Sequence, residues 1–341
     1  MKIKSLLQAT EKYAFSEISW LEMRPEGIYC LPGDFYIDPA KSVPVAIISH
    51  AHADHYRSGH RSVHATSLTL ALATARFRSR AFKEAHSHNF LEPFAAGPVA
   101  VTLYPSFHMD GSAMVLLEYK SQKVLYSGDI NADENGILPA PEIAGKAINL
   151  LICECTFSGK PKHISPSIAL QKVMDASGEL PLMIGAYVLG KAQHVNRLIT
   201  RKFPNLPVLL HKDILRYHQV FREMNLDVGS YQPYRSRSAK SMRKHVWIVP
   251  PRCLQGHAKN YRYFKVMASG WDYTKRWHFL DAHLEISDHA AADHIFEFIC
   301  MTKAKEVAFL HGFPGGLAAQ SEAAEVKVRK LRESAARSWK S

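Results

Sequence analysis

The sequence predicts an α/β protein in which a strand-rich body is interrupted by a smaller unit of alternating strands and helices. Three observations carry this. From Gly27 to about Phe157, short apolar runs separated by Gly, Pro and polar turns far outnumber the single helix-like stretch at 68–82. From about Pro161 the pattern changes to strand, helix, strand, helix, the signature of a parallel sheet. The length, 341 residues, exceeds what one hydrophobic core usually fills, so two bodies or one body with an insertion are expected.

Taken in order, 28–30 and 35–37 read as short strands, and 43–48 reads as a buried strand opened by Pro44. The Ala-, Leu- and Arg-rich run 68–82 reads as a helix. Strands are expected at 99–104, 114–119, 123–126 and 148–153, with His108, Asp129 and Glu154 in the loops that follow them. Pro166 opens a helix with Ser165 as its N-cap. A strand at 181–187 leads through Gly190, Lys191, Ala192 and Gln193 into a helix ending near Lys202. A strand at 208–210 and a helix at 214–224 follow. The basic stretch 231–244 interleaves Tyr231 and Tyr234 with Arg235, Arg237, Lys240, Arg243 and Lys244. It reads either as a stacking and charge surface for a single strand or as a solvated loop. After a strand at 246–249, the run Ser287-Asp288-His289 precedes a helix to about Met301, and a strand at 307–310 ends at His311. Asp288 and Asp293 read as a helix cap and a solvated face. The tail from Ala318 reads as a basic amphipathic helix ending in Trp339.

The balance of 43 Lys+Arg against 31 Asp+Glu gives a net charge of +12, which favours a polyanionic partner, nucleic acid before an acidic membrane. The five Cys are odd in number and irregularly spaced, so a disulfide framework is not expected and a reducing compartment is. Cys153 and Cys155 alternate with Ile152 and Glu154 and read as packed residues. The first twenty residues lack an uninterrupted apolar core, and no apolar run approaches the roughly 20 residues that span a bilayer. The expectation is a cytoplasmic protein without a membrane partner.

The strongest chemical signal is His50-Ala51-His52-Ala53-Asp54-His55, directly after the strand at 43–48. Four potential ligands in six residues exceed what one tetrahedral ion takes from a single loop, which points to two ions side by side. Imidazole with carboxylate suits zinc, with manganese and iron as alternatives. Two metals about 3.5–4 Å apart are a device for splitting phosphate esters. The other polar residues after strands are Asp38, His108, Asp129, Glu154, His289 and His311. His60, His64, His86 and His88 read as surface or packing residues.

This series resembles the metallo-β-lactamase fold, specifically its nucleic-acid-processing branch with an inserted β-CASP domain. The resemblance rests on Ile37-Asp38, the 50–55 run, His108 before Gly111-Ser112, Ser127-Gly128-Asp129, Glu154 before Cys155-Thr156-Phe157, Ser287-Asp288-His289-Ala290 and Leu310-His311-Gly312. The resemblance implies an αββα sandwich: residues 1–160 would be its first part, 161–272 the β-CASP insertion and 273–341 its C-terminal part. The runs around 27–39 and Gly185-Ala186-Tyr187-Val188-Leu189-Gly190-Lys191-Ala192-Gln193 resemble the bacterial ligase-associated DNA exonucleases. These are related to the DNA cross-link repair nucleases and the mRNA 3′-end processing endonuclease. Where many relatives have Glu, this chain has His194.

By that resemblance, His50, His52 and His108 would hold one of two divalent ions, Zn or Mn. Asp54, His55 and His311 would hold the other, and Asp129 would bridge them. Such ions lower the pKa of water and stabilise charge on phosphoryl oxygens. His289 would be the general acid, Glu154 would orient it, and Asp38 would fix a ligand imidazole. Lys191, at a helix start, would meet a substrate phosphate, as would Ser112. The implied activity is a metal-dependent phosphodiesterase, a DNA exonuclease acting on single-stranded DNA with 5′-to-3′ polarity in repair. A DNA ligase and a helicase would be its company. The runner-up is an RNA-processing nuclease. A small-molecule hydrolase is disfavoured by the insertion and the charge, and a catalytically dead scaffold by the full set of ligands.

Overall fold

The computed structural model describes residues 13–15, 18–133, 136, 138, 141–158, 164–312 and 314–330. Three sheets organise them. The first runs in simple chain order: β1 (Tyr13–Phe15), β2 (Ile18–Arg24), β3 (Gly27–Cys30), β4 (Phe35–Ile37), β5 (Val45–Ile47), β6 (His60–Ala65) and β7 (Phe82–Ser87). The second begins with β8 (Phe94–Ala96), β9 (Val99–Pro105), β10 (Ala113–Tyr119), β11 (Gln122–Tyr126) and β12 (Leu150–Cys155). The chain then leaves for a third sheet: β13 (Leu182–Gly185), β14 (Val208–Leu210), β15 (Gln232–Pro233), β16 (Val246–Val249), β17 (Phe264–Ser269) and β18 (Ala282–Glu285). It returns to complete the second sheet with β19 (Glu306–Gly312) beside β12 and β20 (Lys327–Lys330) beside β19.

Period-two alternation explains the layers. In β5, Ile47 points to a core shared with Val101, Leu103, Val115 and Leu117 of the second sheet, while Ala46 points the other way to α1 (Ser67–Phe77). The second sheet likewise turns Met114, Leu116, Leu125 and Leu151 toward an outer helical layer. The order is therefore helix, sheet, sheet, helix. Every pairing within the third sheet is parallel. Its buried strands are continuously apolar, as a sheet covered on both faces requires. One face packs α2 (Pro166–Ser177) and α3 (Lys191–Lys202). A separate core joins the third sheet's unit to the first: α4 (Lys212–Glu223) supplies Tyr217, Val220 and Phe221 against Leu68 and Leu72 of α1, Met109 and Leu189. The remaining helices are α5 (Ser236–Ser241), α6 (Pro251–Gly256), α7 (Ala292–Thr302) and α8 (Gly315–Ala323). The outer layer of the second sheet is built from α7 and α8, through Ile295, Phe298, Ile299 and Leu317.

Several expectations need correction. The helix expected at 68–82 ends at Phe77, where Arg78 takes φ +55°, and the chain becomes the edge strand β7. Ser165 occupies the N-cap of α2 but makes no side-chain capping bond. The tail expected as one helix from Ala318 has α8 only to Ala323 and then β20; residues 331–341, Trp339 among them, lie outside the described residues. Glu154 lies within β12 and His311 within β19 rather than in loops after them. The third sheet continues to Glu285, beyond residue 272. Cys153 and Cys155 are packed and unpaired, as expected. No helix among the described residues is long and apolar enough to cross a membrane.

Candidate metal centre

The 50–55 run leaves β5 and is held from below by Asp38. That residue ends β4 with φ +41° and is fully buried. Its carboxylate accepts four hydrogen bonds: from Ser49 N at 2.7 Å, from Ser49 Oγ, from His55 Nδ1 at 2.7 Å and from Tyr126 OH at 3.0 Å. The expected role of fixing an imidazole is what this geometry can do, and the imidazole is His55.

The tautomers of three further histidines follow from their neighbours. The Ser49 hydroxyl spends its proton on Asp38, so at 3.0 Å it accepts from His50 Nδ1–H. His52 Nε2–H donates to Leu189 O at 3.1 Å, and His108 Nδ1–H donates to Asp288 O at 2.8 Å. Each imidazole therefore turns a bare nitrogen to a common point. His52 Nδ1 lies 3.1 Å from His50 Nε2 and 3.0 Å from His108 Nε2. Asp129 Oδ2 closes the set at 3.6 Å from His50 and 3.5 Å from His108. Burial holds His50 well below the ordinary imidazole range, lowers His52, and pushes His108 down to about 3, so protons do not fill the gap. Four lone-pair donors converging without a proton between them fit a divalent cation, and a neutral nitrogen set with one carboxylate suits zinc-like ions.

Asp129 sits in the Ser127-Gly128-Asp129 turn. Gly128 has φ +54°, and a Cβ there would lie 3.0 Å from the Ser49 Cβ, so only glycine permits the approach. Burial would raise the Asp129 carboxyl, but His55, His289 and His108 outweigh it and hold it well below its usual range. His55 Nε2 stands 3.3 Å from Asp129 Oδ1, and Asp129 with Asp38 raises His55 well above normal despite its burial. A cation at that position would take the place of the His55 proton.

The second expected ligand set is only partly gathered. The His311 ring lies 5.3 Å from that of His55, tilted by 47°. Asp54 is exposed and acts at longer range: burial lowers His52 and His311, and the Asp54 charge only partly opposes that. Among the described residues, the groups of ligand atoms within 4.8 Å of one another are His50/His52/His108/Asp129, Asp38/His50/His55 and Asp129/Glu154/His289, without Asp54 or His311.

His289 Nδ1 is 2.8 Å from Glu154 Oε2, and Glu154 Oε1 accepts from Ile130 N at 2.7 Å. Burial would lower His289, but Glu154 and Asp129 raise it to about 9. With Nδ1–H committed to Glu154, Nε2 is the proton-bearing atom left for other chemistry. His289 and His108 open onto a cavity of about 700 Å³, whose far wall carries His194, Arg197 and Arg201 of α3. Arg197 grips Asp110 from two nitrogens, at 2.7 and 3.3 Å.

Both expected substrate contacts turn inward. Lys191 is 3% exposed and spends its ammonium on Ile286 O at 2.7 Å and Asp288 Oδ1 at 2.8 Å. Ser112 is 1% exposed; its hydroxyl accepts from Met109 N and Ser106 Oγ and donates to Met109 O, which shapes the His108 loop. Asp288, expected as a helix cap, is instead the largely buried partner of Lys191 and, through its carbonyl, the acceptor for His108. Sequence reading missed Ser49, Tyr126, Leu189 and Asp288 as supports of the cluster. Two of them act through backbone carbonyls, which any residue type supplies.

No family model matches the chain. Over 308 residues it is 29% identical to a protein named a probable DNA ligase from Opitutus terrae, covering 84% of this chain and 28% of that one. Over 212 residues it is 24% identical to an RNase J-like protein from Methanocaldococcus jannaschii, covering 53% of this chain and 50% of that one. The chain thus spans about a quarter to a half of the length of these curated relatives. Among solved structures it shares a fold with a protein of unknown function from Enterococcus faecalis, with a TM-score of 0.60 at 13% identity over 85% of this chain and 79% of that one.

Proposed function

We propose that the chain is a metal-dependent nuclease of the metallo-β-lactamase type, with the third sheet and its helices as a β-CASP insertion. The observation that carries this is the convergence of three bare imidazole nitrogens and Asp129 beside a hydrogen-bonded His289–Glu154 pair, with His108 of the first group and His289 of the second lining one cavity. His50, His52, His108 and Asp129 would hold one divalent ion, and His55, His311 and Asp54 with Asp129 a second. Bound there, the ions would supply the positive charge that activates water and stabilises a phosphoryl group. The protein's own part is to orient and to move a proton. Asp38 fixes His55, and Leu189 O and Asp288 O fix His52 and His108. Glu154 holds His289 with Nε2 carrying the proton that the leaving oxygen needs. A +12 chain with Arg197 and Arg201 on the cavity wall suits a polyanion.

DNA is the favoured substrate, and a single-strand exonuclease the favoured mode. In the Opitutus relative, a stretch similar to this chain makes up 28% of a polypeptide named a probable DNA ligase, which also supports a ligase as a partner. An RNA-processing nuclease is the second reading, supported by the similarity to the RNase J-like protein. The test is a time course on one sequence as DNA and as RNA, labelled at either end, with Zn²⁺ or Mn²⁺, and with an Asp129→Ala, His289→Ala double variant as control. Mononucleotides from DNA alone establish the exonuclease and its polarity. Internal cuts in RNA move the assignment to the processing endonucleases, and no cleavage of either refutes the nuclease.

A further inference from the structure

The open edge between the first and second sheets carries an aromatic layer that this chemistry does not use. His64 of β6 and His86 of β7 are register partners, and their rings stack at 4.4 Å and 14°. His64 Nδ1 and His88 Nε2 are 2.9 Å apart in rings inclined by only 7°. Phe94 of β8 lies flat against His88, with centroids 3.5 Å apart at 10°. Three histidines together invite a metal reading, but near-parallel rings defeat it. His64 and His88 already occupy one nitrogen each in their mutual hydrogen bond, and His86, stacked over His64, aims its in-plane lone pairs along a parallel line, so these three form no convergent ligand group among the described residues. A parallel stack ending in the exposed His86 is instead a platform for a flat heteroaromatic base.

The platform is continuous with the cavity on one side and with a basic edge on the other. Phe90, two residues past His88, bridges Leu103 of β9 and lines the cavity that holds His108 and His289. Phe107, 40% exposed, lines it too. In the other direction β7, about 20 Å long, leads back to Lys83 and then to Arg80 and Arg78, all exposed. Among the described residues no carboxylate pairs with these three cations, while Glu84, the one acid on β7, faces Arg61 at 3.8 Å. Stacking faces followed by unpaired cations, with few groups to read base edges, match a single strand held without sequence preference better than an acidic peptide.

The geometry points to a track for single-stranded nucleic acid that leaves the cavity past Phe90, crosses the His86–Phe94 layer and ends on Arg78, Arg80 and Lys83. It rests on the nuclease reading for its substrate class, and it predicts that the protein distinguishes long strands from short ones.

The test uses fluorescein-labelled dT4, dT20 and rU20 by anisotropy with chelator present, beside turnover of bis(p-nitrophenyl) phosphate with metal. The variants are Arg78→Glu/Arg80→Glu/Lys83→Glu, its Gln counterpart in case charge reversal impairs folding, and His86→Ala, each checked by melting temperature. The expected result is at least tenfold weaker dT20 or rU20 binding for the charge variants. Their slope of log affinity against log salt should be shallower by about 2, from three contacts at about 0.7 each. His86→Ala should lose about three- to tenfold. Binding of dT4 and turnover of the diester should stay within twofold of wild type. Unchanged 20-mer binding in all variants, or an equal loss for dT4, overturns the track and leaves the nuclease reading intact. A wild type that binds dT20 through this edge but cleaves nothing upholds the track and refutes the nuclease, and one that binds no strand refutes both.

Discussion

Lys191→Met tests how far the metal cluster depends on the third sheet. Lys191 is buried, and its ammonium joins Ile286 O and Asp288 Oδ1 at 2.7 and 2.8 Å. Burial lowers its pKa, opposed by Asp288. Burial likewise penalises the Asp288 carboxylate, but Lys191, His194 and His108 outweigh that penalty and hold it well below the usual range. Methionine keeps the volume and removes the charge, leaving a buried carboxylate without its main partner. Losing one member of such a pair costs about 3–5 kcal/mol. At roughly 2–4 °C per kcal/mol, the melting temperature should fall by about 6 °C or more. The segment that relaxes carries the His108 acceptor, Asp288 O, so metal affinity should fall by about 10–100-fold, the usual cost of an unsupported ligand. Lys191→Arg should recover part of both. Lys191→Met/Asp288→Asn should recover stability relative to the single variant, because no buried charge is stranded. The measurements are thermal melts and Zn²⁺ titration against a chromophoric chelator. A variant that loses stability while keeping wild-type metal affinity would sink the argument that this pair positions the cluster.

Three other outcomes follow from the same structure. Asp38→Asn should weaken metal binding by about 10–100-fold through His55, and His108→Ala should weaken it further because it deletes a direct ligand; equilibrium dialysis orders the two. In metal-free protein His289 is raised from 6.5 to about 9, so its contribution, roughly 3 kcal/mol, is complete below pH 6.5 and fades as pH rises through 9. Melts from pH 6 to 10 should show that fall in wild type and a flatter profile in Glu154→Gln. Gly312→Ala places a Cβ 2.3 Å from Cys155 O at φ +144°, next to His311, and should cost roughly 2 kcal/mol or more, read as a lower urea midpoint.

What was legible in the sequence was what is local. The 50–55 run carries its ligands in one loop, and His108 and Asp129 were marked by the Gly-Ser and Ser-Gly turns that their backbones need. The strands β6 and β7 were not legible, because the inner face of β6 at the open edge is His60, Ser62 and His64 rather than an apolar set. Lys191 looked like a phosphate ligand because its burial against Asp288, 97 positions away, leaves no trace in its neighbours. The same distance hides the supports of the cluster, and that has a consequence for assembly. His52 takes its tautomer from Leu189 O, after β13, and His108 takes its tautomer from Asp288 O, after β18. Both carbonyls belong to loops of the third sheet, whereas both imidazoles belong to the first two. Until the third sheet docks, neither ring is told which nitrogen to leave bare. The metal centre is therefore written in one loop but completed by another body, and metal affinity should report the docking of that body as directly as it reports the ligands.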